Sequence, residues 1–125
     1  MRKFALITLV AVAPISAADA QNMPLDQFLT KATALERKGP LALLSSDMGR
    51  LKRELQNGAR ELRAERLAAR AAGRRQAFCP PESGGALGAG EVLSHFRSIP
   101  PAQRDQMRSK DALRSLMARK YPCPA

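Results

Sequence analysis

The sequence predicts an all-α fold, a small helical domain of about four to five helices with one long Arg-rich helix, stapled by one disulfide. Three observations carry this expectation. Apolar residues recur at helical spacing in each segment between the Pro and Gly clusters. No stretch alternates apolar and polar residues in the manner of a strand, and no internal repeat is present. The chain holds only two cysteines, Cys79 and Cys123.

The N-terminus is set aside first. Arg2 and Lys3 precede Phe4 to Ala13, apolar except for Thr8, and Ala18-Asp19-Ala20 then forms an A-x-A cleavage site ahead of Gln21. This pattern is that of a secretory signal peptide over residues 1–20, cleaved between Ala20 and Gln21. The apolar run is about half the ~20 residues a spanning helix needs, and no later run is longer, so no transmembrane segment is expected after its removal. The mature chain, residues 21–125, is expected to be one exported, periplasmic domain. Loss of Arg2, Lys3 and Asp19 lowers the net charge from +10 to +9.

From Met23 onward, Leu25, Phe28, Leu29, Ala32 and Leu35 make one helix face, with Pro24 in the first turn and Gly39-Pro40 as the stop. A short apolar piece, Leu41 to Leu44, follows. Ser45, Ser46 and Asp47 offer N-cap oxygens for a long helix from Asp47 to about Ala72, ended by Gly73. Leu51, Leu55, Leu62 and Ala69 fall within about 40° of one another, with Met48 close by, in a narrow apolar seam. Arg53, Arg60, Arg63, Arg70 and Arg74 gather on an adjoining arc; Leu67 intrudes on that arc and Arg66 lies at the edge of the seam. Gly58, in the middle, marks a bend or a close helix contact.

Pro80, Pro81 and the glycines from Gly84 to Gly90 predict a loop, without the spacing of a phosphate-binding loop. Glu91 to Ser98 is a short helix turning Val92, Leu93, Phe96 and Ile99 inward. Pro100-Pro101 ends it and opens a further turn, Ala102 to Met107. Ser109 then caps a last helix whose apolar face is Ala112, Leu113, Leu116, Met117 and Tyr121. In an oxidising compartment Cys79 and Cys123 are expected to pair.

The segment Ala77-Phe78-Cys79-Pro80-Pro81, the Gly-containing loop, Val92-Leu93-Ser94-His95-Phe96, Ile99-Pro100, Ala112-Leu113 and Lys120-Tyr121-Pro122-Cys123 resembles the Rap/Tai family of small periplasmic immunity proteins. The resemblance covers residues 77–123. It implies a small helical protein, often dimeric, that binds and blocks a peptidoglycan amidase delivered by type VI secretion. Family members commonly carry further cysteines in the N-terminal half, where this chain has none between Gln21 and Phe78 and has the Arg-rich helix instead. That half, residues 21–76, resembles uncharacterised exported proteins of alphaproteobacteria.

The composition narrows the function classes. A basic exported chain meets lipid phosphates, cell-wall carboxylates and acidic proteins before nucleic acid, which ranks last among its anionic partners. One histidine, His95, supplies no zinc set, and no cofactor is expected. A Cys79–His95 nucleophile and base needs a reduced thiol, for which Cys123 is the more natural partner. Glu61 and Glu65, at i and i+4, are flanked by Arg and expected to be solvated rather than catalytic. The expectation is a non-enzymatic binding protein: an immunity-type inhibitor of a cell-wall amidase or another periplasmic protein. The alternative is an envelope-associated structural protein holding anionic cell-wall or outer-membrane groups through its Arg-rich helix. The Arg face is either a solvated face of good helix formers or a docking surface offering bidentate pairing. A basic helix laid on lipid is the third use, for which the leucine seam is narrow and lacks Trp. The same seam serves either a homodimer or the chain's own first helix.

Overall fold

A computed structural model describes residues 22–83 and 85–125. The expected signal peptide and its expected cleavage between Ala20 and Gln21 lie outside the described residues, as does Gly84. Five α-helices follow in order: α1 (Leu25–Lys38), α2 (Ser46–Ala71), α3 (Ala89–Ser98), α4 (Pro101–Arg104) and α5 (Ser109–Lys120). A 3₁₀ turn, Gly39–Leu44, joins α1 to α2, and no strand forms among the described residues. The all-α expectation is met, with helix boundaries within a residue or two of those read from the caps, α4 excepted, which stops three residues short at Arg104.

Local chemistry explains the boundaries. Gly39 ends α1 with φ +56°, a left-handed conformation that costs Gly little. The Ser45 hydroxyl caps α2 by accepting from the Asp47 N–H. At the other end Gly73 takes φ +66°, the Arg74 N–H reaches Ala69 O at 2.8 Å and the Gly73 N–H reaches Arg70 O at 3.1 Å. Those two bonds form a Schellman closure. Ser109 does not cap α5 as the sequence suggests. It is the first helical residue, Arg108 is the N-cap, and Asp111 Oδ2 accepts the Arg108 N–H at 3.2 Å. Tyr121 also differs: it stands past the end of α5, with its ring against Gly85 rather than on the helix's apolar face.

One core joins all the layers. Leu25, Phe28, Leu29, Ala32 and Leu35 of α1 face Val92, Phe96 and Ile99, and Phe28 meets Phe96 edge to face at 5.3 Å. Leu51 and Leu62 of α2 turn inward with Ala112, Leu113 and Leu116 of α5, so the seam packs within its own chain.

Gly58 is buried where α2 crosses α5. A Cβ there would sit 3.5 Å from Leu113 Cδ2 and 4.0 Å from the Lys110 Cα, which is ordinary contact. We therefore expect Gly58→Ala to stabilise the fold by about 0.5–1 kcal/mol through helix propensity, and Gly58→Leu to destabilise it by about 1–3 kcal/mol by forcing the helices apart. Urea midpoints of the two variants check this, and a loss of stability in the alanine variant would contradict the packing.

The chain begins its described course as a strap. Met23 O accepts from the Ser109 N–H, the Leu25 N–H donates to Met107 O, each at 2.9 Å, and Pro24 opposes Arg108 in an isolated antiparallel bridge. Beneath it lies Glu54, only 5% exposed, whose Oε1 accepts the Met23 N–H at 2.6 Å and the Ser109 hydroxyl at 2.5 Å.

Candidate functional site

A groove of about 540 Å³ runs between α2 and a wall formed by residues 78–83 and 85–87, with α3 and α5 as its floor. The floor is apolar because the inward faces of three helices converge there: Leu62, Phe78, Val92 and Leu113 are buried, and Leu55, Leu87 and Met117 are partly so. The α2 rim is cationic, carrying Lys52, Arg63 and Arg66; Glu82 lines the opposite wall. Its volume lies within the range of sites that take a small molecule or a few side chains.

Arg66 is the most constrained of the rim cations. Its guanidinium carbon lies 6.0 Å from the centroid of the Phe78 ring, within cation–π range, and its Nε is buried without a hydrogen-bond partner among the described residues. An unpaired buried donor beside an open cavity is favourable ground for an acceptor brought by a ligand.

The loop wall is held at several points. Cys79 and Cys123 form the predicted disulfide, with Cα atoms 4.8 Å apart. The Cys79 N–H donates to Tyr121 O at 2.8 Å, and Lys120 Nζ donates to Ala86 O at 2.9 Å while pairing with Glu91 at 3.0 Å. The Tyr121 ring fills the space where a side chain at Gly85 would stand. The staple thus fixes one wall of the groove as well as the chain's end.

The five arginines singled out in the sequence, Arg53, Arg60, Arg63, Arg70 and Arg74, are all exposed, and none pairs with a carboxylate among the described residues. Only Arg63 reaches the groove. Arg60 donates to Asn57 Oδ1, and Arg53 Nη1 folds back to within 3.3 Å of the Cβ position of Gly49. Arg74 leaves the arc, because Gly73 has already turned the chain out of the helix. Sequence reasoning missed Lys52 and the groove role of Arg66, although Arg66 sits one turn beyond Leu62 at the seam's edge.

Glu61 and Glu65 are not simply solvated. Lys110 of α5 bonds Glu61 at 2.9 Å and Glu65 at 3.1 Å, and Arg114 bonds Glu65 at 2.9 Å. The Arg114 hydrogen bond, then that of Lys110, holds the Glu65 carboxyl below its ordinary value against the opposing effect of burial, and the Glu61 hydrogen bond raises Lys110. These are half-exposed pairs, each worth about 0–1 kcal/mol, that register α2 on α5.

His95 and Cys79 do not form a catalytic pair, since Cys79 has no thiol to offer. His95 Nε2 lies 2.8 Å from Ser115 Oγ, whose own proton goes to Ala112 O at 2.7 Å. The imidazole is then the donor to Ser115, not a base that activates it. Burial, then the charge of Arg119, lowers the pKa of His95 and favours this neutral form.

No described helix is long and apolar enough to cross a membrane. Comparison with known proteins returns no match among family models, curated proteins or solved structures.

Proposed function

We propose that this is an exported, non-catalytic binding protein of the periplasm whose groove takes up an acidic, partly apolar segment of a protein partner. The observation that carries the reading is the pairing of an apolar floor with a rim of Lys52, Arg63 and Arg66, in which the Arg66 Nε has no hydrogen-bond partner among the described residues. Apolar side chains of the partner bury against Leu62, Phe78 and Val92 while a carboxylate engages the guanidinium groups, in the bidentate manner Arg favours. In the form implied by the resemblance of residues 77–123, the partner is a cell-wall amidase and the protein acts as its immunity-type inhibitor.

The exposed Arg53, Arg60 and Arg70, which have no carboxylate partner among the described residues, favour a second reading, in which the protein is structural and this face holds anionic cell-wall or outer-membrane groups. Affinity capture with the oxidised mature protein, at low and high salt, separates the two. The first reading expects one amidase that survives high salt and loses its activity when bound, and expects Arg63→Gln/Arg66→Gln to weaken capture about tenfold or more. Recovery only of anionic envelope material, removed by salt and lost in Arg53→Gln/Arg60→Gln/Arg70→Gln, replaces it with the second.

A further inference from the structure

The 3₁₀ turn Gly39–Leu44 exposes three leucines that none of the described residues covers. Leu41, Leu43 and Leu44 are 67%, 78% and 86% exposed, and Ala42 alone turns into the core. The geometry requires this division: in a 3₁₀ helix residues i and i+3 eclipse, so Leu41 and Leu44 share a line on the side that Ala42 leaves. The protruding turn is flanked by cations. Arg37 and Lys38 fill the last turn of α1, Arg50 lies in the early part of α2, and Arg53 folds its guanidinium back toward Gly49 at that same end. None of the four pairs with a carboxylate among the described residues, whereas the nearest acids in sequence are already held, Glu36 by Arg97 at 2.7 Å and Asp47 by Lys31 at 3.2 Å.

We infer that this leucine turn and its flanking cations dock the protein on the surface of an anionic lipid bilayer. Each leucine offers roughly 100 Å² of apolar surface, so the turn offers about 300 Å², less than half of the ~800 Å² per partner of a standard protein interface. A second copy is also a poor occupant, because its own net positive charge and the same unpaired cations repel it. A bilayer suits both features: the leucines enter the boundary between headgroups and acyl chains, and Arg37, Lys38, Arg50 and Arg53 meet lipid phosphates. This surface shares no residue with the leucine seam of α2 or with the groove.

The test is co-sedimentation with phosphatidylcholine vesicles containing or lacking phosphatidylglycerol, using protein purified from an exporting host so that wild type and variants carry the same N-terminus. Wild type is expected to sediment with the phosphatidylglycerol vesicles and several-fold less at high salt. The variant Leu41→Ser/Leu43→Ser/Leu44→Ser is expected to lose about tenfold or more of that binding, and Arg37→Gln/Lys38→Gln several-fold. Leu44→Asp alone, at the most exposed site, serves if the triple variant unfolds. Absent wild-type binding, equal binding to pure phosphatidylcholine, undiminished binding of the leucine variants, or a dimer that the leucine variants dissolve without any vesicle binding would each overturn the assignment. Groove capture by Arg63 and Arg66 is measured in solution, so either result leaves that reading to its own experiment.

Discussion

Replacing Glu54 by Ala is expected to cost about 3–5 kcal/mol, a large part of the ~5–15 kcal/mol that holds a domain together. Glu54 Oε1 is the acceptor for two buried donors, the Met23 N–H and the Ser109 hydroxyl, at 2.6 and 2.5 Å. A hydrogen bond contributes about 0.5–1.5 kcal/mol net, and deleting the acceptor leaves both donors desolvated and unpaired, at about 1–3 kcal/mol each. The loss is concentrated on the strap, because Met23 O and the Leu25 N–H, with Asn22 accepting from Arg108 and Lys110, tie residues 22–25 to α5 and its approach. Glu54→Gln keeps the shape and one acceptor oxygen, and is expected to cost about 1–2 kcal/mol. Urea unfolding measures the totals, and hydrogen exchange at Met23 and Ser109 localises them. An alanine variant within 1 kcal/mol of wild type, or unchanged exchange at those two amides, would remove Glu54 from its place as the strap's anchor.

Glu54 also shows where the sequence stops being legible. The helix faces were readable because burial follows the 3.6-residue period: Leu25, Phe28, Leu29, Ala32 and Leu35 are the five buried positions of α1, as the spacing requires. Gly58 was readable as a contact because a glycine mid-helix is otherwise a cost. Glu54 projects only about 40° from Gly58 on the buried side, yet in an Arg-rich helix a glutamate reads as one more surface charge. Its partners are a backbone N–H 31 residues upstream and a hydroxyl 55 residues downstream, and no local pattern announces such a meeting. The groove was hidden for a related reason. One wall is a Pro- and Gly-rich segment with no period of its own, and its path is set by Cys123, Tyr121 and Lys120 from the far end of the chain. The leucines of the 3₁₀ turn were visible as an apolar piece, but which of the four faces the core depends on a threefold turn that the composition does not specify.

Loss of the Cys79–Cys123 bridge, by Cys79→Ser/Cys123→Ser or by reduction, is expected to cost about 2–4 kcal/mol. The bridge closes a loop across a sequence separation of 44, for which the chain-entropy model gives about 4 kcal/mol at most. What remains after its removal decides the pattern of the loss. α1, α2, α3 and α5 keep their shared core, so helicity should persist at 25 °C with a lower urea midpoint. The wall, residues 78–83 and 85–87, is held otherwise by the Cys79 N–H on Tyr121 O, by Lys120 on Ala86 O and by the ring packing of Tyr121 at Gly85, all exposed or partly so. Those contacts are weak alone, so the wall should open before the helices melt, and Phe78 should lose its place under Arg66. The expected signature is hydrogen exchange that accelerates at Cys79 and through residues 85–88 well below the unfolding midpoint, together with weaker partner capture by the reduced protein. Equal protection of the wall in the two redox states would mean that the staple serves stability alone and that the groove is formed by the helices without it.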